Sequence, residues 1–246
     1  MAAQRVAIIG LGLMGGSLAL ALQGRVAALL AVDTDPEVCT LAVQQRFVER
    51  ITADIEGIIH QADIIILASP VETILENIQL LGEQASTASR TGAPLEPGKI
   101  ILLDLGSTKQ AVVEAMQSLP PAFDPLGGHP ICGKETSGLK HAEANLYNGA
   151  TFAFTALERT SPRARNLANS LAAAVGAVPV WIDATSHDLR VAFTSHLPYL
   201  LANALAGIIS DEAAPFIGPG YRSTSRLASA SPTVMLDILH TNRERV

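Results

Sequence analysis

Residues 5–17, Arg5-Val-Ala-Ile-Ile-Gly-Leu-Gly-Leu-Met-Gly-Gly-Ser, constrain the fold of this 246-residue chain more than any other stretch. The apolar run Arg5–Ile9 reads as a buried strand, and Met14–Gln23 reads as a helix. Between them Gly10, Gly12 and Gly15 stand in G-x-G-x-x-G register. A strand that enters a helix through such a turn opens a βαβ unit. The glycines let the backbone approach a pyrophosphate, which sits on the helix N-terminus where unpaired N–H groups and the dipole favour anions. A tight turn with no ligand is the plainer alternative, and the flanking strand and helix argue against it. A second apolar strand, Ala28–Val32, leads to Asp33, 23 residues after Gly10. That is close to the spacing at which a carboxylate holds an adenosine ribose 2′-OH. Asp33-Thr-Asp-Pro could equally cap the next helix. A carboxylate here repels a 2′-phosphate, and no Arg or Lys follows until Arg46, so NAD is expected in preference to NADP. The expected cofactor contacts are Gly10, Leu11, Gly12, Leu13, Met14, Gly15 and Asp33, with Ser69 and Pro70 after a later strand.

The alternation continues. Asp63–Leu67, Lys99–Leu103, Thr151–Thr155 and Val178–Ile182 read as further strands, with a short one near Phe123–Gly127, and most are nearly continuous apolar runs. Glu37–Gln45, Val71–Glu83, Lys109–Ser118 and Pro162–Val175 read as helices. Gln84–Gly98, rich in Ser, Thr, Gly and Pro, reads as a surface loop. This is the pattern of a doubly wound parallel α/β sheet of Rossmann type, covered on both faces. After Asp183 the strands stop, and Ser186–Ser210 and Tyr221–His240 read as helical around a turn at Gly218–Gly220. The expected domains are therefore 1–183, dinucleotide-binding, and 184–246, smaller and all-helical.

Charge and cysteine content narrow the partners. A formal net charge of −6 offers no basic footprint for nucleic acid, so a small-molecule ligand is expected. Val6–Leu22 is uncharged and imitates a signal peptide, but its glycines suit a strand–turn–helix better, and no membrane partner is expected. Cys39 and Cys132 are too few for a disulfide framework and read as free thiols in a cytoplasmic setting.

In an open α/β sheet the ligand lies beyond the carboxyl ends of the strands. The polar residues there are Ser69-Pro70, Asp104-Leu-Gly-Ser107-Thr-Lys109 and Gly127-Gly-His129-Pro-Ile-Cys-Gly133. Ser107 and His129 are thus expected to face the nicotinamide. Ser107 is also placed to cap the helix beginning at Lys109. His129, in a glycine-rich loop, lacks the apolar surroundings of a packed core histidine, and imidazole is suited to moving a proton near neutral pH.

Taken together, Gly-Leu-Gly-Leu-Met-Gly-Gly-Ser (10–17), Asp-Leu-Gly-Ser-Thr-Lys (104–109), Gly-Gly-His-Pro-Ile-Cys-Gly-Lys-Glu (127–135), Ser-His-Leu-Pro (195–198) and Tyr-Arg-Ser-Thr-Ser-Arg-Leu-Ala (221–228) resemble the prephenate/arogenate dehydrogenases of tyrosine biosynthesis. The resemblance implies NAD-dependent oxidative decarboxylation of a cyclohexadiene carboxylate. It makes His129 the base that takes the hydroxyl proton, Ser107 its partner on that hydroxyl, and Arg226 the clamp on a substrate carboxylate. His187, His196, Tyr199, Lys134 and Glu135 fall on the substrate side, and the helical domain is implied to form a homodimer. The chain departs from the family at Tyr199, where a second histidine is frequent, and in the turn Gly218-Pro219-Gly220. It also stops at Val246, whereas family members continue into further helices, which leaves a truncated C-terminus as an open alternative. Prephenate and arogenate are not separated by the sequence, nor is tyrosine feedback decided. A β-hydroxyacid dehydrogenase would share the glycine turn and the helical domain, but it implies a lysine in that domain and none follows Lys140. A non-catalytic dinucleotide sensor has no need of Ser107, His129 and Arg226 together.

Overall fold

The computed structural model describes residues 1–134 and 136–246. Among the described residues eight strands form one sheet: β1 (Arg5–Ile9), β2 (Ala28–Val32), β3 (Arg50–Thr52), β4 (Ile64–Leu67), β5 (Ile100–Asp104), β6 (Phe123–Pro130), β7 (Thr151–Ala156) and β8 (Val178–Trp181). They lie in the order β3-β2-β1-β4-β5-β6-β7-β8. The first six places follow the doubly wound pattern, with the reversal of strand order between β1 and β4.

Alternate residues of the strands feed two cores. Val6 and Ile8 of β1 pack with Leu18 and Leu22 of α1 (Leu13–Leu22) and Leu167 and Leu171 of α5 (Pro162–Val175). Ala7 and Ile9 point the other way, toward Ile74, Ile78 and Leu81 of α3 (Val71–Arg90) and Val112 and Met116 of α4 (Gln110–Gln117). Burial on both faces is why these strands read as continuous apolar runs rather than alternating ones. A further helix, α2 (Pro36–Gln44), follows β2, and Asp35 caps it by accepting from the Glu37 N–H at 2.8 Å.

Four details differ from expectation. The sheet is not wholly parallel, because β7 pairs antiparallel with β6 while β8 runs parallel to β7. β3 carries no apolar signal, being a three-residue strand with an exposed Arg50 and Thr52. α3 runs on to Arg90 through the stretch expected as a loop, since Ala85 and Ala88 continue the buried stripe of Leu81 and Ser86 turns its hydroxyl onto the Gly82 carbonyl at 2.8 Å. β6 extends through Gly127-Gly128-His129-Pro130, so His129 stands on a strand opposite Ala153 of β7 and not in a loop. Gly128 lets β6 lie close against β5 at this point, because a Cβ there would lie 2.7 Å from the Asp104 carbonyl oxygen.

After β8 the chain is helical: α6 (Ala184–Val191), a π-helical turn (Ala192–His196), α7 (Leu197–Gly207), α8 (Pro219–Ser225), a 3-10 turn (Arg226–Ser229) and α9 (Pro232–Thr241). α9 returns to the sheet, burying Ile238 in the core beside α3. Among the described residues no helix is long and apolar enough to cross a membrane.

Candidate active site

The turn after β1 gives each glycine a separate task. Gly10 has φ +94°, and a Cβ on it would press within 3.0 Å of the Ala68 carbonyl carbon. At Gly15 a Cβ would sit 1.9 Å from the Gly10 carbonyl oxygen, so this glycine lets α1 close onto β1. Gly12 has open space before it, with nothing within 4 Å of where its Cβ would be. A backbone held tightly from behind and left bare in front suits a pyrophosphate at the start of α1. Asp33 braces the same turn: one oxygen accepts from the Leu11 N–H at 2.7 Å and the other from the Asp35 N–H at 3.0 Å. Since Asp35 caps α2, the helix-cap alternative for Asp33 does not hold. A cleft of about 570 Å³ opens here, lined by Gly10, Gly12, Asp33, Ser69, Pro70 and Thr73 among others. Leu11 is buried behind the turn, while Leu13 and Met14 form the first turn of α1 and the Met14 carbonyl accepts from the Tyr147 hydroxyl at 2.7 Å.

Beyond β5 the chain is held by a buried ion pair. Asp104 and Lys109 are both fully buried, and the Lys109 ammonium donates to Asp104. The Asp104 carboxylate also accepts from the Gly106 N–H at 2.8 Å and from the Gly128 N–H at 3.0 Å, which fixes the backbone on both sides of the site. Burial lowers the Lys109 pKa, against the opposing pull of Asp104. Ser107 stands half-buried in this turn. It does not cap α4. Asp188 of α6 does so, accepting from the Lys109 N–H at 2.7 Å and the Gln110 N–H at 2.8 Å.

His129 faces this junction. Its Nδ1 is 2.9 Å from His187 Nε2, and His187 Nδ1 is 2.8 Å from Asp188 Oδ1. Burial, then the neighbouring His187, Lys109 and His196, push the His129 pKa well below 6.5, so the ring is neutral at physiological pH. Burial alone would raise the Asp188 pKa, but hydrogen bonds from His187, Gln110 and Lys109 outweigh it and hold the group below its ordinary value. The hydrogen positions follow from the network. An ionised carboxylate only accepts, so His187 carries its proton on Nδ1 and offers the Nε2 lone pair to His129 Nδ1–H. The remaining nitrogen of His129, Nε2, is then a lone pair free to accept a proton. His196, buried at the end of the π-helical turn, is held by Asn242, whose amide also donates to the Asp188 carbonyl at 2.9 Å.

Residues 17–181 match the family described as prephenate dehydrogenase, nucleotide-binding domain, and residues 183–246 match prephenate dehydrogenase, dimerization domain. The chain belongs to the prephenate dehydrogenase family. A prephenate dehydrogenase of Bacillus subtilis is 30% identical over 98% of this chain and 65% of its own length. The chain spans a little under two thirds of the length of the first curated relatives it matches. Among solved structures, prephenate dehydrogenase from A. aeolicus in complex with hydroxyphenyl propionate and NAD+ superposes with TM-score 0.87 at 28% identity, covering 100% of this chain and 85% of that one. Synechocystis arogenate dehydrogenase gives TM-score 0.79 at 28% identity, covering 98% and 84%.

The remaining expected site residues are more dispersed. Tyr199 lies half-buried in the first turn of α7, three residues beyond His196, and Arg226 opens the exposed 3-10 turn after α8. Lys134 is paired with Glu143 at 2.8 Å, and the Glu143 N–H donates to Ser17 of α1, which ties Lys134 to the nucleotide side. Glu135 lies outside the described residues. Both cysteines are free, and burial raises the Cys132 thiol to about 11. Among the described residues no cluster of His, Cys, Asp or Glu is arranged to hold a metal ion. Sequence reasoning missed four residues of the junction: Asp104, Lys109, Asp188 and Asn242. Asp104 and Lys109 bound a motif already singled out, but their mutual burial could not be read from it. Asp188 and Asn242 are spaced far from the groups they touch and carry no local signal.

Proposed function

We propose that this chain carries an NAD-dependent prephenate or arogenate dehydrogenase activity, converting its substrate by oxidative decarboxylation to 4-hydroxyphenylpyruvate or tyrosine. The single observation that carries the reading is His129, its Nδ1 2.9 Å from His187 Nε2 in a chain that ends on the Asp188 carboxylate, in surroundings that push its pKa well below 6.5. NAD, when bound, supplies the hydride acceptor. Gly10, Gly12 and Gly15 would cradle its pyrophosphate, and Asp33 would hold the adenosine ribose and disfavour a 2′-phosphate. His129 takes the proton of the substrate hydroxyl, with Ser107 sharing that hydroxyl, and the carboxyl leaves as carbon dioxide as the ring becomes aromatic. General base help of this kind is worth ~10²–10⁴ in rate. Arg226 holds a substrate carboxylate, with His196 and Tyr199 on the same side.

The domain division falls near Asp183, and the protein works as a cytoplasmic homodimer. Support for the dimer comes from the family's dimerization domain at residues 183–246 and from apolar side chains left bare there, such as Phe216, 87% exposed, and Ile208, 76% exposed. The deciding experiment incubates the protein with NAD and either prephenate or arogenate while following absorbance of the reduced cofactor. Turnover of one or both is expected, and no turnover of either rejects the reading.

A further inference from the structure

His187 has no ring nitrogen to offer a substrate. Both are engaged, one by Asp188 and one by His129, and the residue is 2% exposed. A substrate carboxylate or hydroxyl could reach it only by displacing one of these partners. Asp188 is fully buried, and its two oxygens accept from three donors: His187 Nδ1, Lys109 N and Gln110 N. We infer that Asp188, acting through His187, sets the tautomer and the orientation of His129, so that both are positioning residues for the base and neither binds substrate. The inference rests on the dehydrogenase reading, in which His129 is that base.

The argument is one of proton accounting. Neutral imidazole has one N–H, and nothing in His129 itself decides which nitrogen carries it. The carboxylate at the far end of the chain decides, because it can only accept. Asp188 forces the proton of His187 onto Nδ1, His187 Nε2 then has to accept, and His129 has to donate from Nδ1. The same chain acts when His129 becomes an imidazolium. The charged groups around it are Asp104 of β5, Lys109 before α4 and Asp188 of α6, with the His187 and His196 rings beside them. Asp104 and Lys109 offset each other as a buried pair, which leaves the Asp188 carboxylate as the unbalanced charge facing the new cation. A carboxylate bonded directly to a catalytic histidine, orienting it and stabilising its protonated form, is familiar from the Ser-His-Asp triad; here a second imidazole is interposed. Position adds a further condition. His129 stands on the sheet while His187 and Asp188 stand on α6, so the base acquires its competent tautomer only when α6 is seated on the N-terminus of α4.

A purely structural role for Asp188, as the cap of α4, makes different predictions. The first test needs no ligand: long-range ¹H–¹⁵N spectra of the imidazoles of the whole protein. Wild-type His129 is expected as the Nδ1–H tautomer, and finding it as Nε2–H overturns the inference. In His187→Gln the amide oxygen can still accept from His129 Nδ1–H, whereas His187→Leu removes the acceptor. Gln should therefore keep that tautomer and retain kcat within about tenfold of wild type, while Leu should lose ~10²–10⁴-fold with little change in either KM. Equal losses in the two variants would mean that His187 only fills space. Asp188→Asn should lower kcat by a similar factor and move the acid limb of the kcat profile to lower pH, because removing the carboxylate disfavours the imidazolium. Combined with His187→Leu it should add little further loss in kcat, as two residues acting in one chain are not additive. If Asp188→Asn does not fold, the Gln and Leu variants alone carry the test. Absence of turnover by the wild type, with His129 still found as Nδ1–H, would reject the dehydrogenase reading and leave the positioning chain standing.

Discussion

Replacing Asp33 with alanine tests two roles that a single carboxylate performs. Its Oδ2 accepts from the Leu11 N–H at 2.7 Å, in the middle of the glycine turn, and its Oδ1 accepts from the Asp35 N–H at 3.0 Å, at the entry to α2. The first bond is short, charge-assisted and partly buried, so its loss costs ~1.5–3 kcal/mol. The second lies at the surface, where water replaces the carboxylate, and adds ~0.5–1 kcal/mol. Asp33→Ala should therefore destabilise the ligand-free protein by about 2–4 kcal/mol. A domain of ordinary stability, ~5–15 kcal/mol, survives this and remains assayable at 25 °C. Cofactor use should change in a particular way. Repulsion of a 2′-phosphate and the bonds to the ribose hydroxyls disappear together, so the ratio of kcat/KM for NAD over NADP should fall. NADP should nevertheless not reach the wild-type efficiency with NAD, because the turn that receives the pyrophosphate has lost its brace. Urea unfolding without ligand measures the first effect, and kcat/KM with each cofactor measures the second. Unfolding free energy within about 0.5 kcal/mol of wild type would refute the brace. An unchanged cofactor ratio would reduce Asp33 to the brace alone.

Further expectations concern the base, the clamp and the strand that carries the base. His129→Asn should leave both KM values near wild type and lower kcat by ~10²–10⁴, and wild-type turnover in that variant would rule out its role. With the His129 pKa depressed, the unprotonated base persists as pH falls through 6.5, so wild-type kcat/KM should stay level there and drop only at lower pH. An acid limb at or above 6.5 contradicts this. Arg226→Ala should raise substrate KM by the ~2–5 kcal/mol of a lost Arg–carboxylate pair while cofactor KM holds, with Lys rescuing only in part. Gly128→Ala drives a Cβ to 2.7 Å from the Asp104 carbonyl and 2.9 Å from Leu103 Cδ1, so it should cost ~1–3 kcal/mol in unfolding measurements and lower kcat by displacing His129.

Much of the fold was legible because buried parallel strands announce themselves as unbroken apolar runs, and β1, β2, β4 and β5 do so within a residue of their ends. The glycine turn was legible for a related reason: close backbone approach permits only one residue type, so Gly10 and Gly15 are written into the sequence by sterics. Where side chains do not decide, the sequence was silent. β3 is held by backbone pairing with Leu30–Val32, and its exposed residues carry no pattern. The direction of β7 depends on which edge the chain returns to, and an apolar run reads alike in either direction. At the end of α3 the composition pointed to a loop. The buried alanines and the back-bonded serine that keep the helix going are weak signals one at a time.

The site was harder to read than the fold because its parts are bonded across long stretches of chain. His129 and its partner His187 are separated by 58 residues, Asp188 and the Lys109 N–H by 79, and Asn242 and His196 by 46. Some of these residues have an ordinary local explanation, as Ser107 does in reading as a helix cap, and Asp188 and Asn242 have none to mark them. Ser107 shows how such a reading fails: a serine ahead of a helix is a sound candidate for the cap, yet a carboxylate from α6 takes the position and accepts two N–H groups where a hydroxyl would accept one. That substitution has a consequence for chemistry. A cap drawn from α4's own turn would stabilise the helix and nothing else, whereas a cap drawn from α6 makes seating of the helical segment, protection of the α4 N-terminus and the protonation pattern of His129 depend on one carboxylate.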